Sequence, residues 1–303
     1  MSASRAARPA VAGGERQHVQ APSSVVHRGR AGLWNLAVFA VAWLVALGFV
    51  AVTTHASPAL RDARVYWEAW HGPVYAGGFV YPSAGALLFV PAAILPWPAF
   101  AALWTGILVV SGAWLLWPLP MRLRLPLLVA LAATFAWGNA ATLLAVALAL
   151  AVRWPAAWAA LAWTKVTPAV GLVALVRQRR WRDLGVAVGL CAAVGVAVLV
   201  LASGAIGDWL AQLMRHPEIP SYYLAVLPFV PPLWARLALA AAVAWWGASR
   251  PWTLVVAAAL ATPDLSVATC GLLAAAPRLL QHERMAPAVP LSGGTATEFP
   301  KVG

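Results

Sequence analysis

The sequence predicts an all-α protein, a polytopic bundle of transmembrane helices with about 8–10 membrane segments, some of them broken or re-entrant. Three observations carry that prediction. Of 303 residues, 62% are hydrophobic and only 10% charged, where a soluble domain carries about 25% charged residues. Mean hydropathy is +0.78. Apolar stretches near the roughly twenty residues that cross a bilayer recur along the chain, divided by short Arg- or Pro-containing breaks. A soluble enzyme is excluded. Because helices sharing one hydrocarbon slab fold together, 31–284 reads as one domain, between a disordered cytoplasmic tail (1–30) and a polar C-terminal tail (285–303).

The formal charge of +12 would suggest nucleic acid in a soluble chain. Here its distribution argues otherwise. Lys165 and Lys301 are the only lysines among 21 cations, and the arginines cluster between apolar stretches: Arg28/Arg30, Arg177/Arg179/Arg180/Arg182, Arg250, Arg278/Arg284. That is the positive-inside pattern, which orients helices, and the clusters lack the regular interleaving of stacking aromatics that a nucleic-acid groove has. The partner read from it is a lipid bilayer, with no nucleic acid. Cys191 and Cys270 both lie in apolar runs, with neither metal-ligand spacing nor a disulfide framework.

With the tail inside, a first helix over 33–54, longer than a signal-peptide core, exits the membrane. Loop 55–82 is then outside. Its middle, Ala59 to Trp70, contains no breaker and predicts a helix lying along the membrane surface. Apolar segments 83–95 and 98–117 follow, split at Leu95-Pro96-Trp97-Pro98, because proline lacks the backbone donor a helix needs. Segments 125–137 and 140–152, interrupted by Gly138-Asn139, are too short to span, which predicts broken or half-crossing helices.

Stretch 154–176 lies between Arg153 and the Arg177–Arg182 cluster, which both belong to the cytoplasm; a re-entrant hairpin with Lys165 near its tip resolves the parity. The same device serves 251–276, broken at Thr262-Pro263-Asp264. Arg122 and Arg124 fit neither face cleanly. Helix 184–202 exits to a second outer loop, 203–232, carrying Asp208, Trp209, Arg215, His216, Glu218, Tyr222 and Tyr223, and helix 233–249 returns inward. No internal repeat is visible.

There are nine acidic residues. Glu15, Glu283 and Glu298 lie in or beside the tails and Asp183 in the Arg-rich turn, so the rest crowd the outer side. An active site using a carboxylate base would therefore face outward. Glu68 pairs with Arg64 four residues away. Asp62 has no cation at helical spacing, shares a face with Tyr66 and is flanked by Arg61 and Arg64. It reads either as an exposed charge on an interfacial helix or as a general base that takes a proton from a hydroxyl nucleophile. Lys165 at the centre of a single span would cost about 2.5–3.5 kcal/mol. At a hairpin tip it either snorkels or meets an anionic head group, a lipid phosphate above all.

Other candidates have bland readings beside the functional ones. Asn139 reads first as filling a helix break through local hydrogen bonds, and second as a substrate contact. Asp264 reads as the cap of a half-helix ahead of a substrate contact. His71 and His216 are solvated rather than ligands, and no metal site is expected. Trp67, Trp70 and Trp209 are interfacial anchors that could also stack on a sugar.

Asp62-x3-Tyr66, then Tyr75, then Tyr81-Pro82 before an apolar helix and Leu95-Pro96, resembles the first outer loop and second helix of glycosyltransferase family 87. These are polyprenyl-phosphate-mannose-dependent α-mannosyltransferases of the GT-C superfamily, prominent in actinobacteria. Trp163-Thr164-Lys165-Val166-Thr167-Pro168 followed by Arg179-Arg180-Trp181-Arg182 is similar to that family's lysine-proline segment and arginine-rich turn. Gly204 through Leu210 resembles the start of its later outer loop. The family's Gly-Gln-x-Asn appears here as Gly138-Asn139-Ala140-Ala141-Thr142, and Ser83 stands where proline is common.

The resemblance covers about residues 33–280. It implies an inverting transfer on the outer face of the bacterial cytoplasmic membrane, from a polyprenyl-phosphate sugar to a lipid or glycan acceptor, without a cofactor. Asp62 is then the general base. Lys165, helped by Arg61 or Arg64, steadies the departing phosphate, and Tyr66, Tyr81, Asn139, His216 and Asp264 are the remaining substrate-binding candidates. Two other functions fit parts of the pattern: a transporter or flippase of a lipid-linked sugar, and an inactive membrane scaffold for envelope assembly.

Overall fold

Several helices in this chain start or stop at proline or glycine. The structure, a computed structural model, describes residues 37–44, 47, 59–75, 79–215, 231–263 and 270–285. Among the described residues 77% are helical and none forms a strand, in line with the all-α expectation. Residues 1–41 and 42–303 form two units. Residues 37–44, helical, lie inside the predicted first helix; the rest of that helix apart from residue 47, tail 1–30 and the C-terminal tail beyond Met285 lie outside the described residues.

The predicted surface helix is α1, Arg61–Glu68, which buries Ala63 and Tyr66 and turns Arg64 outward. The apolar segment 83–95 is not one helix. It is a 3₁₀ segment, Ser83–Phe89, and a single α turn, α2, Pro91–Ile94. Leu95 and Pro96 are extended, and α3, Trp97–Leu116, restarts with Pro98 in its first turn, where backbone N–H groups have no intrahelical partner to lose. Helix α4, Met121–Trp137, begins ahead of its predicted start, and α5 is Ala141–Ala151. Gly138 closes α4 with φ 69°, the left-handed cap that glycine adopts without a steric penalty. The chain bends by 119° between α4 and α5.

Stretch 154–176 is a hairpin. Helix α6, Ala157–Thr164, rises to Lys165, which is extended. A 3₁₀ segment, Thr167–Gly171, and α7, Leu172–Arg177, descend from it. The arms touch closely: a Cβ on Gly171 would come within 2.3 Å of the Trp158 ring. Beyond the second arm, Arg180 donates to the Val152 carbonyl ahead of the first, at 3.1 Å, so both ends of the hairpin meet.

Helices α8 (Trp181–Leu201), α9 (Ala205–Arg215), α10 (Leu233–Trp246), α11 (Thr253–Ala261), α12 (Cys270–Leu273) and α13 (Ala276–Met285) complete the order. Helices α10 and α11 meet through alanines, Ala240 and Ala244 against Ala257 and Ala261, since small side chains let backbones approach.

Among the described residues α3 and α8 are long and apolar enough to cross a membrane, and α4 with α5 would make a third if they form one broken span. Helix α8 has a mean hydropathy of 2.7 and only 6% of its apolar window is buried in the protein. A helix with apolar side chains on nearly every side suits hydrocarbon, where its backbone hydrogen bonds are all satisfied internally.

Arg124, which fits neither face by sequence alone, is located by its bonds. It donates to the carbonyls of Trp117 at 2.7 Å and Leu119 at 2.9 Å, and Arg278 donates to Trp114 at 2.8 Å. Both therefore finish the C-terminal end of α3.

Candidate active site at the Asp62–Asn139 contact

The site begins with a close approach that only small residues permit. Ala63 is fully buried, and a Cβ on Gly138 would lie 2.5 Å from the Ala63 Cβ, so α1 sits directly on the α4–α5 break. The Leu60 N–H donates to the Ala136 carbonyl at 2.6 Å and holds it there, while Trp104 Nε1 of α3 donates to the Gly138 carbonyl at 2.7 Å and ties α3 to the same break. Leu60 is left-handed, with φ 56°. That conformation costs a non-glycine residue roughly 1–2 kcal/mol, and it turns the chain into α1 two residues before Asp62.

This docking brings Asp62 and Asn139, 77 residues apart, into contact: Asn139 Nδ2 donates to Asp62 Oδ2 at 2.6 Å. The Asn139 Oδ1 accepts the Ala141 N–H at 2.9 Å, the local bond expected at a helix break. Tyr66 and Tyr81 also meet, hydroxyl to hydroxyl at 3.1 Å, and the Ala140 N–H points to the Tyr66 oxygen at 3.4 Å. Both rings are buried, in a cluster with Phe79, Phe89 and Trp104. Burial first, then Tyr81 and then the charge of Asp62 hold the Tyr66 phenol well above its ordinary ionisation range.

The arm that leads to Lys165 reaches the same region through backbone contact. A Cβ on Gly85 would stand 2.6 Å from the Trp163 carbonyl oxygen, 3.1 Å from the Tyr81 Cβ and 3.6 Å from the Thr164 Cα, so the hairpin tip abuts the Ser83–Phe89 segment. Helix α9 reaches that segment's approach as well, with Trp209 Nε1 donating to the Val80 carbonyl at 3.2 Å. Burial, above all, raises the ionisation of Tyr75, with hydrogen bonding to Ser83 opposing it and the nearby charge of Asp208 adding to it.

Arg61 is exposed at the start of α1. Arg64 pairs with Glu68 at 2.8 Å and lies over the rings of Trp67 and Trp97, 4.8 and 5.0 Å from their centroids. Trp67 and Trp70 donate to the carbonyls of Leu95 and Ala86, which ties α1 to the segment beneath it. His216 and Asp264 lie outside the described residues.

One residue the sequence reading passed over is Arg236. It is 6% exposed, and its guanidinium donates to the carbonyls of Thr262 at 2.6 Å, Pro263 at 2.8 Å and Pro231 at 3.1 Å. It thereby holds the break at the end of α11. The signal available was a lone arginine in the first turn of an apolar helix, outside every cluster used to assign topology.

A cavity of about 20 Å³ lies at the other end, lined by Val152, Trp158, Gly171, Gln178, Arg180 and Ala248 among others; Asp62 and Lys165 do not line it. It has room for about one water. Among the described residues no three His, Cys, Asp or Glu side chains stand close enough to hold a metal ion.

Compared with known proteins, the chain matches no family, no curated protein and no solved structure.

Proposed function

We propose that this chain is an integral membrane glycosyltransferase of the family 87 type: a GT-C-like, multi-pass bundle in the bacterial cytoplasmic membrane with its site on the outer face. It moves a hexose, mannose by resemblance, from a polyprenyl phosphate to a glycolipid or glycan of the cell envelope. The observation that carries the reading is the Asp62–Asn139 contact, formed where the surface helix docks on a helix break. The lysine-bearing hairpin tip abuts the segment that follows.

In the proposed reaction Asp62 removes the proton from the acceptor hydroxyl as its oxygen attacks the anomeric carbon of the β-linked sugar. The bond from that carbon to the phosphate oxygen breaks, its electron pair leaves with the polyprenyl phosphate, and the new linkage is α. Lys165 stabilises the negative charge that gathers on the leaving phosphate, an interaction worth most where water is excluded. Arg61 or Arg64 assists, Arg64 already being paired with Glu68 and lying over two indoles. Tyr66 and Tyr81, buried as they are, form the wall behind the carboxylate, and His216 and Asp264 remain substrate-binding candidates. The exposed apolar face of α8 suits a protein whose sugar donor is itself a lipid.

The Asp62→Asn variant tests this. Incorporation of label from polyprenyl-phosphate mannose into membrane glycolipid is expected to fall roughly 100-fold or more, the scale of general-base catalysis, with protein level unchanged. Undiminished incorporation would remove Asp62 as the base. Helix breaks at Gly138, Lys165 and Thr262 also suit a transporter. That reading predicts label crossing sealed vesicles with no new glycosidic bond.

A further inference from the structure

We infer that Asn139 is a positioning residue that orients Asp62 and keeps it ionised, rather than a contact of the sugar; the inference rests on the transfer reading above. The Asn139 amide has one consistent orientation. Its Oδ1 accepts the Ala141 N–H at 2.9 Å, and its Nδ2 donates to Asp62 at 2.6 Å. Flipping the amide would set NH₂ against an N–H and oxygen against a carboxylate, so both neighbours select the same orientation. The backbone is fixed as well: the Asn139 N–H donates to the Thr134 carbonyl at 3.1 Å, directly after the left-handed Gly138. With only 8% of its surface exposed, Asn139 has little left to offer a sugar.

A carboxylate that accepts a hydrogen bond beside the first turn of a helix is favoured in its charged form. It is also held to one direction, and orientation is a large part of what an active-site base contributes. Among the described residues, the titratable groups in this region include Tyr66, Arg61, Arg64 and Glu68 on the helix of Asp62, Tyr81 facing Tyr66, and Lys165 at the hairpin tip that abuts the Ser83–Phe89 segment. The Ser83–Phe89 segment, α2 and α3, which pack on α1, carry no ionisable side chain, and α4 carries only Arg122 and Arg124 in its first turn, far from Gly138.

Two substitutions separate the bond to Asp62 from the bond to Ala141. Asp and Ser both serve well at a helix N-terminus, so Asn139→Asp and Asn139→Ser retain an acceptor for the Ala141 N–H. Both lose the amide donor to Asp62, and Asn139→Asp adds a like charge beside it. Transfer from polyprenyl-phosphate mannose is measured against pH with the full chain in proteoliposomes. In parallel, the infrared band of the protonated Asp62 carboxyl, identified by its loss in Asp62→Asn, is titrated without substrate.

For Asn139→Asp the acid limb of the transfer profile and the infrared titration are both expected to move up by about one to three pH units, the usual effect of a second carboxylate in one site. For Asn139→Ser, kcat is expected to fall about tenfold or more with KM within about twofold, the pattern of a lost orientation. Should both variants match the wild type in profile, kcat and titration, the positioning role is overturned and Asn139 is a helix cap alone. If Asn139→Asp fails to fold, the Ser variant decides by the same two readouts. If the wild type transfers no sugar yet the infrared titration shifts in Asn139→Asp, the positioning of Asp62 stands and the transfer reading falls.

Discussion

The two ends of the helical hairpins differ in how far apart in sequence their bonded side chains lie. At the end holding Arg124, Arg180 and Arg278, side chains bond to backbone: Arg124 to Trp117 and Leu119, Arg278 to Trp114, Arg180 to Val152, and Gln178 to Ala248. Each satisfies a carbonyl that a helix or turn end would leave without a partner. Around Asp62, beside indole bonds to backbone, side chains also meet side chains of distant elements, Asn139 to Asp62 and Tyr66 to Tyr81, whereas the side-chain pairs at the other end, Arg180 with Asp183 and Arg278 with Gln281, are local in sequence. An arginine that finishes a helix serves stability alone. A carboxylate bonded across a helix break needs another reason to be retained, because an apolar pair would pack there with no desolvation cost. The contrast separates architecture from chemistry without reference to any relative.

Arg236 is the case that strains this division. By the predicted topology it belongs to the outer end, yet it grips carbonyls as Arg124 and Arg278 do. Replacing it with Met would leave the carbonyls of Thr262 and Pro263 without their charged donor inside the protein. The expected loss is about 3 kcal/mol, given 1.5–3 kcal/mol for a hydrogen bond to a charged group and more than one bond removed. Thermal unfolding of the detergent-solubilised chain measures it, and Arg236→Lys should recover part of the loss. If Arg236→Met unfolds at the wild-type temperature but loses transfer, Arg236 belongs with the chemistry and the division by bonding partner fails.

The end with the arginine clusters was the more legible in sequence. Positive-inside arginines and the parity they impose led to the 154–176 hairpin, and the contact of Trp158 with Gly171 and the Arg180–Val152 bond close that hairpin. Breaks at Pro96, Gly138 and Thr262 were legible because proline and glycine act locally. What sequence could not give was long-range. Segment 83–95 reads as an apolar helix but is mostly 3₁₀, because the α1 indoles bond into its backbone. Asp62 and Asn139 were separate candidates, and no spacing rule joins residues 77 apart. Their contact follows from Ala63 meeting Gly138, two small residues whose fit is visible only after the helices dock.

A middle-sized effect sharpens the contrast through pH. The Tyr66 phenol is raised in the folded state, first by burial and then by Tyr81 and Asp62. A group whose folded ionisation lies above its unfolded value stabilises fully below the unfolded value, about pH 10 for tyrosine, and loses that contribution as pH rises beyond it. Tyr66→Phe removes the bond to Tyr81 and should cost about 1 kcal/mol at pH 8. Between pH 8 and 10.5 the wild type should lose more of its unfolding temperature than Tyr66→Phe does. Equal losses would mean that Tyr66 does not titrate against folding.

The smallest effect belongs to Arg64 and Glu68, which sit on the same helix as Asp62 but on its wet side. Their bond is short, 2.8 Å, yet the side chains are 45% and 42% exposed. Water screens such a pair, and holding two long side chains in one geometry costs entropy, so i,i+4 pairs on helices contribute about 0.3–0.5 kcal/mol. A double-mutant cycle with Arg64→Ala and Glu68→Ala should give a coupling of that size that shrinks further in high salt. The single Arg64→Ala change should cost more than the coupling, because it also removes the guanidinium from the Trp67 and Trp97 rings. Transfer should persist in Glu68→Ala, since this carboxylate has a partner on its own helix and no bond across the break. A loss of transfer in Glu68→Ala as deep as in Asp62→Asn would mean that both carboxylates of α1 serve the reaction, and that a bond across the helix break does not mark the base.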